Sequence, residues 1–313
     1  MTTTVLAGAS APAAGPNVLG WFRPGSTDWH AARASGIGGS EIAAVMGLSP
    51  YESRFSLWHR KQGLVAPVEE TEVMYWGKVH EPAICAEFAT RHPELVVDSS
   101  PTYSHSARPW QIANPDRLIV NNLATALPTA VLEAKTARDA EGWGAEGWGA
   151  EGTDEIPVHY RAQCLWYLDT LGLTTCHVAV LIAGSEYREY VVEYDETDAL
   201  AMRDAGAEFM RTLAAGERPD IDGHSATFQT IKSLPDGQDD VDVEVSTARR
   251  DRYFAALDAA KQAEEEKRAA AGLLLDEIGT GRRAVCERRP VATRTVRGGR
   301  TYSLQPARNR STS

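Results

Sequence analysis

The segment "VLEAKT", Val131 to Thr136, carries a carboxylate and an ammonium two residues apart in an otherwise apolar run. Short apolar runs of this kind, bounded by turn residues, predict a buried strand. Side chains two residues apart lie on the same face of a strand, so Glu133 and Lys135 point together while Leu132 and Ala134 face the other way. A charged pair on one face of a buried strand indicates a chemical site.

Two further carboxylates precede this pair in the sequence. Asp116 follows "ANP" beside an earlier strand-like run, and Glu81 lies on a predicted helix before it. If the two runs are antiparallel neighbours, Asp116, Glu133 and Lys135 converge at one end of the sheet, and Glu81 can reach the same end. Crowded carboxylates repel one another, and a hard divalent cation such as Mg²⁺, which prefers oxygen ligands, relieves that repulsion.

The chemistry expected of such a cluster is phosphodiester cleavage. Mg²⁺ can polarise a phosphoryl oxygen and activate a bound water, and the Lys135 ammonium can stabilise the attacking hydroxide or the charge growing on the phosphate. Each part alone also has an ordinary interpretation: a common E-x-K triplet, an Asp in a turn after Pro, and a solvated helix Glu. The order in which they occur favours a single site.

The spacing of apolar residues changes along the chain from a helical pattern to a strand pattern. Four segments predict helices: "STDWHAARAS", capped by Asp28 or Thr27; "SEIAAVMG", capped by Ser40 after a glycine hinge; "FSLWHRKQGLV"; and "GKVHEPAICAEFATRH". Five later runs predict strands: "LVVDS", "WQIANPDRLIV", "AVLEAKT", "TTCHVAVLIA" and "YREYVVEY", with the helix "VHYRAQCLWYLDTLG" between the third and the fourth. This order predicts an α/β (α+β) fold class with a mixed central sheet flanked by helices.

Composition divides the chain into four predicted regions. Residues 1–20 are small and dotted with Pro and Gly, which predicts a disordered arm without a signal peptide. Residues 21–220 form the predicted core, and residues 221–245 form a polar linker. Residues 246–313 predict a long charged helix followed by a basic β-hairpin about "GG" and an arginine-rich tail.

The near-repeat "EGWGAEGWGAEG", Glu141 to Gly152, follows the Glu133 strand directly. Glycine at this density does not sustain a helix or strand, so a mobile loop with Trp143 and Trp148 at its tip is predicted. The loop is either a tolerated insertion or a flap whose tryptophans stack on a substrate.

Bulk properties narrow the class of protein. A net charge of −11 argues against a general nucleic-acid coat protein, but it allows a DNA enzyme whose basic residues gather at one site. The chain has no apolar run of about 18 residues, so no membrane span is predicted. The four cysteines are far apart and lack zinc-site spacing, and three of them sit in apolar stretches, which predicts small buried hydrophobic side chains. Few, unpatterned cysteines also predict a cytoplasmic location.

Five motifs in order, "GIGGSE", "GKVHEPA", "NPDRLI", "LEAKT" and "YRAQCLWYL", resemble the YqaJ-type viral recombinases. These are relatives of the phage lambda exonuclease within the PD-(D/E)xK nuclease superfamily, and the resemblance runs from about Trp29 to Tyr194. It implies a restriction-endonuclease-like core. It also implies a Mg²⁺-dependent exonuclease, with Mn²⁺ as a substitute, that degrades linear double-stranded DNA from 5′ to 3′ and leaves 3′ single strands. Further implications are a single-strand annealing protein as partner, a ring-shaped homo-oligomer in some members, and a bacterial host cytoplasm if the chain is phage-encoded.

The resemblance assigns roles to the acidic cluster residue by residue. Asp116 and Glu133 correspond to the metal-binding carboxylates of the D…E-x-K core, and Lys135 corresponds to its lysine. Glu81 corresponds to an additional acidic residue that aids metal or water binding. Gln163, in "YRAQ", corresponds to a glutamine that orients the site, although its position also suits an ordinary helix surface residue.

Phosphate-binding positions are implied nearer the N-terminus. Arg33 and Ser40 correspond to residues that hold the 5′ or scissile phosphate, and Tyr160 lies one helical turn before the site glutamine. Arg33 offers a bidentate fork, and Ser40 stands at a predicted helix N-terminus. A surface arginine and a plain N-cap are the ordinary interpretations. Trp29 is either a core residue or a wedge that faces DNA.

Other functions compete with the exonuclease interpretation. The same superfamily contains endonucleases and repair nucleases, and a non-catalytic DNA-binding recombination scaffold could keep the fold. A two-carboxylate sugar hydrolase is disfavoured because it needs no lysine. The glycine- and tryptophan-rich loop has no counterpart in the family. The acidic net charge is reconciled with DNA binding if the C-terminal arginines, or a ring assembly, present a basic channel to DNA.

Overall fold

The protein is described by a computed structural model that covers residues 15–23, 25–122, 124–140, 147–235 and 237–307. The chain divides into two compact units, residues 1–236 and 237–313. The helices in the described ranges are α1 (Thr27–Ala34), α2 (Gly39–Val45), α3 (Arg54–Lys61), α4 (Glu72–Arg91), α5 (Val158–Leu171), α6 (Glu196–Ala215), α7 (Ser225–Ser233) and α8 (Thr247–Ile278).

The strands in these ranges belong to three sheets. Those of the first unit are β1 (Asn17–Gly20), β2 (Ile37–Gly38), β3 (Val96–Ser99), β4 (Thr102–Ser104), β5 (Gln111–Ala113), β6 (Arg117–Val120), β7 (Pro128–Ala137), β8 (Thr175–Ile182) and β9 (Glu186–Glu193). Those of the second unit are β10 (Arg283–Cys286), β11 (Arg289–Arg297) and β12 (Arg300–Pro306).

A five-stranded mixed sheet forms the centre of the first unit. Its order is β3-β6-β7-β8-β9, in which β7 and β8 are parallel and the other neighbours are antiparallel. Parallel neighbours need a long crossover, and α5 lies in the connection between β7 and β8. The sheet with its flanking helices confirms the predicted α/β (α+β) fold class.

The two faces of β7 enter different parts of the core. Val131 packs in the cluster that contains Leu165 of α5. Leu132 and Ala134 pack in a second cluster with α4 residues, among them Ile84. The alternation expected from the sequence is therefore present, and it directs Glu133 and Lys135 away from the α4-side cluster.

A second sheet, of order β1-β4-β5-β2, was not predicted. The run "WQIANPDRLIV" was predicted as one strand, but it divides at Pro115 into β5 of this sheet and β6 of the central sheet. Proline lacks the N–H that a continuous ladder requires, which accounts for the break. Residues 17–20, placed in the predicted disordered arm, form β1 and pair with β4. The rest of that arm up to residue 14 lies outside the described residues.

Part of the predicted linker, residues 221–245, is also ordered as a helix. Residues 225–233 form α7, which packs on α3 within the first unit. Thr227 is fully buried and donates its hydroxyl to Ser53 Oγ at 2.7 Å, and His224 Nε2 lies 3.0 Å from the Ser49 carbonyl oxygen. The polar sequence suggested a linker because these contacts are hydrogen bonds rather than apolar packing.

The loop after β7 also differs from its prediction. Trp148 is 8% exposed and packs among core residues, with its ring 5.7 Å from that of Tyr160 and 5.3 Å from that of Tyr190. The prediction that Trp148 forms part of a mobile flap is therefore wrong. Burial of the large aromatic side chain stabilises this segment by more than the conformational entropy that its glycines lose on becoming ordered. Trp143 lies outside the described residues.

The second unit consists of α8 and a three-stranded antiparallel sheet of order β10-β11-β12. The long helix and the hairpin about Gly298 and Gly299 were predicted, whereas β10 was not. Within the described ranges, no helix combines the length and the apolar character needed to cross a membrane.

Candidate active site

The E-x-K pair on β7 forms a direct contact. Lys135 Nζ lies 2.6 Å from Glu133 Oε1, and Glu133 is only 1% exposed. Asp116 lies one residue before Arg117, which pairs with Leu132 across the β6–β7 ladder. The Ala134 amide donates to Asp116 Oδ2 at 2.8 Å, and the Asp116 amide lies 3.4 Å from Glu133 Oε2. The strand register thus brings Asp116, Glu133 and Lys135 together.

Helix α5 supplies a further layer of polar groups. Gln163 Nε2 donates to Glu133 Oε1 at 2.6 Å, and Lys135 Nζ donates to Gln163 Oε1 at 3.2 Å. The Tyr160 ring lies beneath the Lys135 ammonium, 4.9 Å from its centroid. Gln163 is 7% exposed, so the alternative that it is a helix surface residue is excluded.

Tyr167 completes this network and was missed in the sequence. Gln163 Nε2 donates to the Tyr167 hydroxyl at 3.0 Å, and that hydroxyl donates to the Asn114 carbonyl oxygen at 3.1 Å. Tyr167 lies four residues after Gln163, which places both on one helix face. That spacing was the available signal.

Burial controls the electrostatics of the cluster. Desolvation, together with the neighbouring Asp116 carboxylate, raises the pKa of Glu133. Desolvation also raises the pKa of Asp116, against the opposing effect of Lys135. Burial disfavours the charged form of Lys135, but the Glu133 and Asp116 carboxylates outweigh it and raise the pKa of the lysine. Because burial opposes ionisation of both carboxyls, a cation bound between them would favour their charged forms.

Glu81 occupies the other side of β7. It lies on α4, and its carboxylate accepts from Arg117 Nη1 at 2.9 Å. The same guanidinium also donates to the Asp116 carbonyl oxygen. Arg117 and Leu132 are cross-strand partners on the α4 face, so Glu81 is joined to Asp116 through Arg117. The sequence predicted that Glu81 can reach the same end of the sheet, but it did not reveal the role of Arg117.

Within the described ranges, no group of three or more His, Cys, Asp or Glu side chains is arranged to hold a metal ion. Asp116 and Glu133 meet, whereas Glu81 engages Arg117. The assignment of Asp116, Glu133 and Glu81 as metal ligands therefore stays a prediction.

The glycine-rich segment between α1 and α2 places the predicted phosphate-binding pair. Arg33 Nη2 donates to Ser40 Oγ at 2.8 Å, and the guanidinium lies 4.6 Å from the Trp29 ring centroid. Trp29 Nε1 donates to Asn114 Oδ1 at 2.9 Å, beside the turn that carries Asp116. Arg33 is thus a positioned side chain rather than a free surface arginine.

Helix caps in this region differ from their predictions. Gly38, not Ser40, is the N-cap of α2, and the Gly38 amide is bound by Glu41 Oε2 at 2.8 Å. Ser40 therefore lies inside the first turn. Ser26, rather than Asp28 or Thr27, caps α1 by accepting from the Trp29 amide at 3.2 Å. Both errors are shifts of one or two residues.

Gly39 is required where α2 meets α5. A Cβ at this position would lie 2.3 Å from a Tyr167 ring atom. We expect Gly39→Ala to displace Tyr167, loosen Gln163, and lower the free energy of unfolding by about 1–3 kcal/mol. Gly77→Ala is the control, because its Cβ would meet Thr136 Oγ1 at an ordinary 3.7 Å and alanine favours a helix by up to about 1 kcal/mol. Equal stability of the two variants in urea unfolding would contradict this packing.

A buried ionic cluster anchors the same segment. Glu41 lies 3.0 Å from Arg60 Nη2, 3.0 Å from Lys61 Nζ and 3.7 Å from Arg33 Nη2. Burial opposes ionisation of Glu41, but the attraction of Arg33, Lys61 and Arg60 prevails and lowers its pKa to about 2. Lys61 also donates to the Gly36 carbonyl oxygen at 2.6 Å. None of these partners was predicted, since they lie on α1 and α3 rather than on the helix that carries Glu41.

We expect Glu41→Gln to lower the free energy of unfolding at pH 7 by about 3 kcal/mol, because it leaves buried cations without their carboxylate. The folded-state pKa lies below the unfolded value of about 4.3, so this stabilisation is complete above that pH and is lost as the pH falls toward 2. The difference between wild type and variant should therefore shrink over that range.

Tryptophan fluorescence during urea unfolding tests this expectation, because all eight tryptophans precede residue 167 and report on the first unit. Glu87→Gln is the control: Glu87 pairs with Arg91 at 2.8 Å, but both side chains are 46% exposed. Its effect should stay below about 1 kcal/mol. A Glu41→Gln deficit that persists undiminished near pH 2.5 would refute the linkage.

The prediction that the cysteines in apolar stretches are buried is confirmed. Cys85, Cys164 and Cys176 are buried free thiols, and Cys286 is an exposed one.

Comparison with known proteins finds proteins similar to the region that holds this site. Residues 28–177 match the YqaJ-like viral recombinase domain. The uncharacterized protein YqaJ of Bacillus subtilis strain 168 is 29% identical over 231 residues, which make up 72% of this chain and 68% of that protein. Protein D345L of African swine fever virus is 36% identical over 56 residues, 18% of this chain and 16% of that protein.

Two solved structures are also similar. The alkaline exonuclease LHK-Exo from Laribacter hongkongensis is 18% identical with a TM-score of 0.47, covering 61% of this chain and 94% of its own. A phage related exonuclease from Haemophilus somnus 129PT is 8% identical with a TM-score of 0.41, covering 64% and 96%.

Residues 28–177 are therefore similar to the YqaJ-like viral recombinase domain, the family that the motifs resemble. All eight predicted site residues lie within this range: Arg33, Ser40, Glu81, Asp116, Glu133, Lys135, Tyr160 and Gln163.

Proposed function

We propose that the protein is a divalent-cation-dependent exonuclease that degrades linear double-stranded DNA. The observation that carries the proposal is the buried Glu133 carboxylate, which accepts from Lys135 Nζ and Gln163 Nε2, each at 2.6 Å, beside Asp116. A buried acid, amine and amide in mutual contact suit phosphoryl chemistry better than they suit simple packing, because each polar group costs free energy to bury. The viral recombinase domain supports DNA as the substrate.

The residues present fit a divalent cation. Asp116 and Glu133 offer hard oxygen ligands of the kind that Mg²⁺ and Mn²⁺ prefer. Burial raises the pKa of both carboxyls, and the Asp116 carboxylate raises that of Glu133 further, so a bound cation would offset the cost of ionising them. Glu81, which is joined to Asp116 through Arg117, is the third acidic residue of the proposed site. When bound, the cation supplies Lewis acidity toward a phosphoryl oxygen and toward water.

Lys135 stabilises negative charge on the phosphate during cleavage. Its ammonium is held by Glu133 and Gln163 and rests on the Tyr160 ring, so it is oriented before substrate binds. Preorganised charge of this kind acts strongly in a site from which water is excluded. Gln163 fixes the direction of both charged groups and is itself fixed by Tyr167.

Arg33 and Ser40 bind a DNA phosphate. Their mutual hydrogen bond and the Trp29 contact orient the guanidinium fork toward one anion. We expect Arg33→Gln to raise the DNA concentration needed for half-maximal rate by at least about tenfold, in line with the loss of one charge-assisted hydrogen bond. A steady-state titration of linear duplex would measure this, and an unchanged half-saturation would contradict the role.

Several finer properties belong to the same proposal. Digestion proceeds from 5′ to 3′ and leaves 3′ single strands for a single-strand annealing protein, in the cytoplasm of a bacterial host. A ring-shaped homo-oligomer would keep the enzyme on its substrate. Light scattering after size-exclusion chromatography measures the oligomeric state.

The decisive experiment uses linear duplex labelled at one 5′ end or at one 3′ end, with Mg²⁺, with Mn²⁺, or with EDTA. The proposal predicts early release of the 5′ label with either metal and none with EDTA. A duplex closed by hairpins at both ends is the control and should survive.

Other outcomes identify other functions. Cleavage of the closed duplex would indicate an endonuclease, and early release of the 3′ label would reverse the polarity. DNA binding with no release under any condition would indicate a recombination scaffold and reject the proposal.

A further inference from the structure

The second unit carries a strongly basic sheet. Residues 281–307 contain seven arginines and one acidic residue, Glu287, in a chain whose net charge is −11. The arginines are Arg282, Arg283, Arg288, Arg289, Arg294, Arg297 and Arg300. Positive charge is therefore concentrated on β10, β11, β12 and their turns.

One of the seven arginines stabilises the fold of this unit. Arg294 is half-buried, and its guanidinium donates to the carbonyl oxygens of Gly279 and Thr280 after α8. A cation at a helix C-terminus binds its free carbonyl groups and is favourable there. The other six arginines are exposed and need a different explanation.

Salt bridges do not supply that explanation. Within residues 237–307, ion pairs join Arg250 to Asp251 at 2.7 Å and Lys267 to Glu264 at 3.2 Å, both on α8. In that range the six exposed arginines of the sheet form no salt bridge. In the first unit, by contrast, several arginines are paired with acids, as Arg203 is with Asp169 and Glu196.

The tip of the β11–β12 hairpin concentrates this charge further. Arg297 and Arg300 are direct cross-strand partners on either side of Gly298 and Gly299. Like charges directly opposite each other destabilise a β-ladder unless an anion lies between them. Tyr302 is 69% exposed, and the Arg297 guanidinium lies 5.7 Å from its ring centroid. Two arginines and an open aromatic ring thus form one surface.

We propose that the β11–β12 hairpin is a nucleic-acid-binding site, in which Arg297 and Arg300 contact the phosphodiester backbone and Tyr302 stacks on a base. Guanidinium groups bind phosphates in a fork geometry, and aromatic rings interleaved with basic residues are typical of single-strand binding. A two-stranded ribbon also fits the major groove of a duplex. The site lies outside residues 28–177 and does not depend on cleavage.

Binding is measured with the full chain in EDTA, by fluorescence anisotropy of a labelled single strand and of a hairpin-capped duplex at several salt concentrations. Each phosphate contact contributes about 0.7 to the salt slope for a single strand and about 0.9 for a duplex. Arg297→Gln/Arg300→Gln should therefore flatten the slope by between one and two, and should weaken binding at least about tenfold at low salt. Tyr302→Ala should weaken single-strand binding by about fivefold or more.

The matched control is Arg249→Gln/Arg252→Gln, which removes the same charge from exposed positions on α8 of the same unit. The α8 variant should have a salt slope near that of the wild type. Arg297→Lys/Arg300→Lys, which keeps the charge of the hairpin, should retain most of the wild-type slope. A hairpin variant that behaves like the α8 control on both DNAs would overturn the proposal. Binding to phosphatidylserine vesicles is measured for the same variants. If Arg297→Gln/Arg300→Gln lost vesicle binding while its DNA binding stayed unchanged, the proposal would also be overturned. Since no metal is present, neither result bears on the nuclease proposal.

Discussion

Glu133→Gln is expected to lower the cleavage rate of linear duplex by at least about 10³-fold, because it removes a proposed cation ligand and the partner that orients Lys135 in one change. Loss of one preorganised electrostatic group costs about 10²–10³ in rate, and here two functions are lost together. Glu133, Lys135 and Gln163 are joined pairwise by hydrogen bonds of 3.2 Å or shorter, and these contacts would also rearrange. Single-turnover release of nucleotides at saturating Mg²⁺ measures the rate.

The control for this variant is Glu193→Gln. Glu193 lies on β9 of the same sheet but is exposed, and its carboxylate accepts from Thr175 Oγ1 at 3.0 Å. The Glu193→Gln variant should cleave linear duplex at nearly the wild-type rate. Thermal unfolding of both variants separates loss of chemistry from loss of fold. A folded Glu133→Gln enzyme within tenfold of wild type would remove Glu133 from the site.

Lys135→Met should separate binding of the cation from catalysis. We expect the rate to fall by about 10²–10³-fold, while affinity for Mn²⁺ rises, because the variant deletes a positive charge that lies 2.6 Å from Glu133 Oε1. Glu133→Gln should lower both quantities. The opposite signs of the two affinity changes distinguish a catalytic lysine from a structural one.

Mn²⁺ affinity is measured by electron paramagnetic resonance, and the rate is measured as for Glu133. Lys78→Met is the control, since the Lys78–Glu70 pair is about half exposed, with side-chain exposures of 48% and 46%. It should change neither quantity. Weaker Mn²⁺ binding in Lys135→Met, with an unchanged rate, would show that Lys135 only holds the fold.

The sequence predicted the central part of the site because strand periodicity is a local property. Glu133 and Lys135 share a face of β7 as residues two apart must, and the short connection between β6 and β7 made antiparallel pairing with the Asp116 run a natural expectation. The helix that carries Gln163 was predicted for the same reason, from apolar residues at helical spacing.

Features that depend on the tertiary arrangement were missed. Arg117, Glu41 and Lys61 acquire their partners from other helices and strands, so no local pattern marks them. Trp148 lies within a glycine-rich repeat whose composition suggests mobility, yet its contacts with Tyr160 and Tyr190 bury it. Helix α7 is held by buried hydroxyl groups rather than an apolar stripe, which is why its sequence resembles a linker.

A crystal structure with Mn²⁺, recorded at a wavelength where manganese scatters anomalously, tests the central claim most directly. If Asp116 and Glu133 hold the cation, an anomalous peak is expected in contact with both carboxylates, and no such peak is expected in Asp116→Asn crystals grown and soaked identically. Manganese bound only at other acidic residues, or an unchanged peak in the variant, would contradict it.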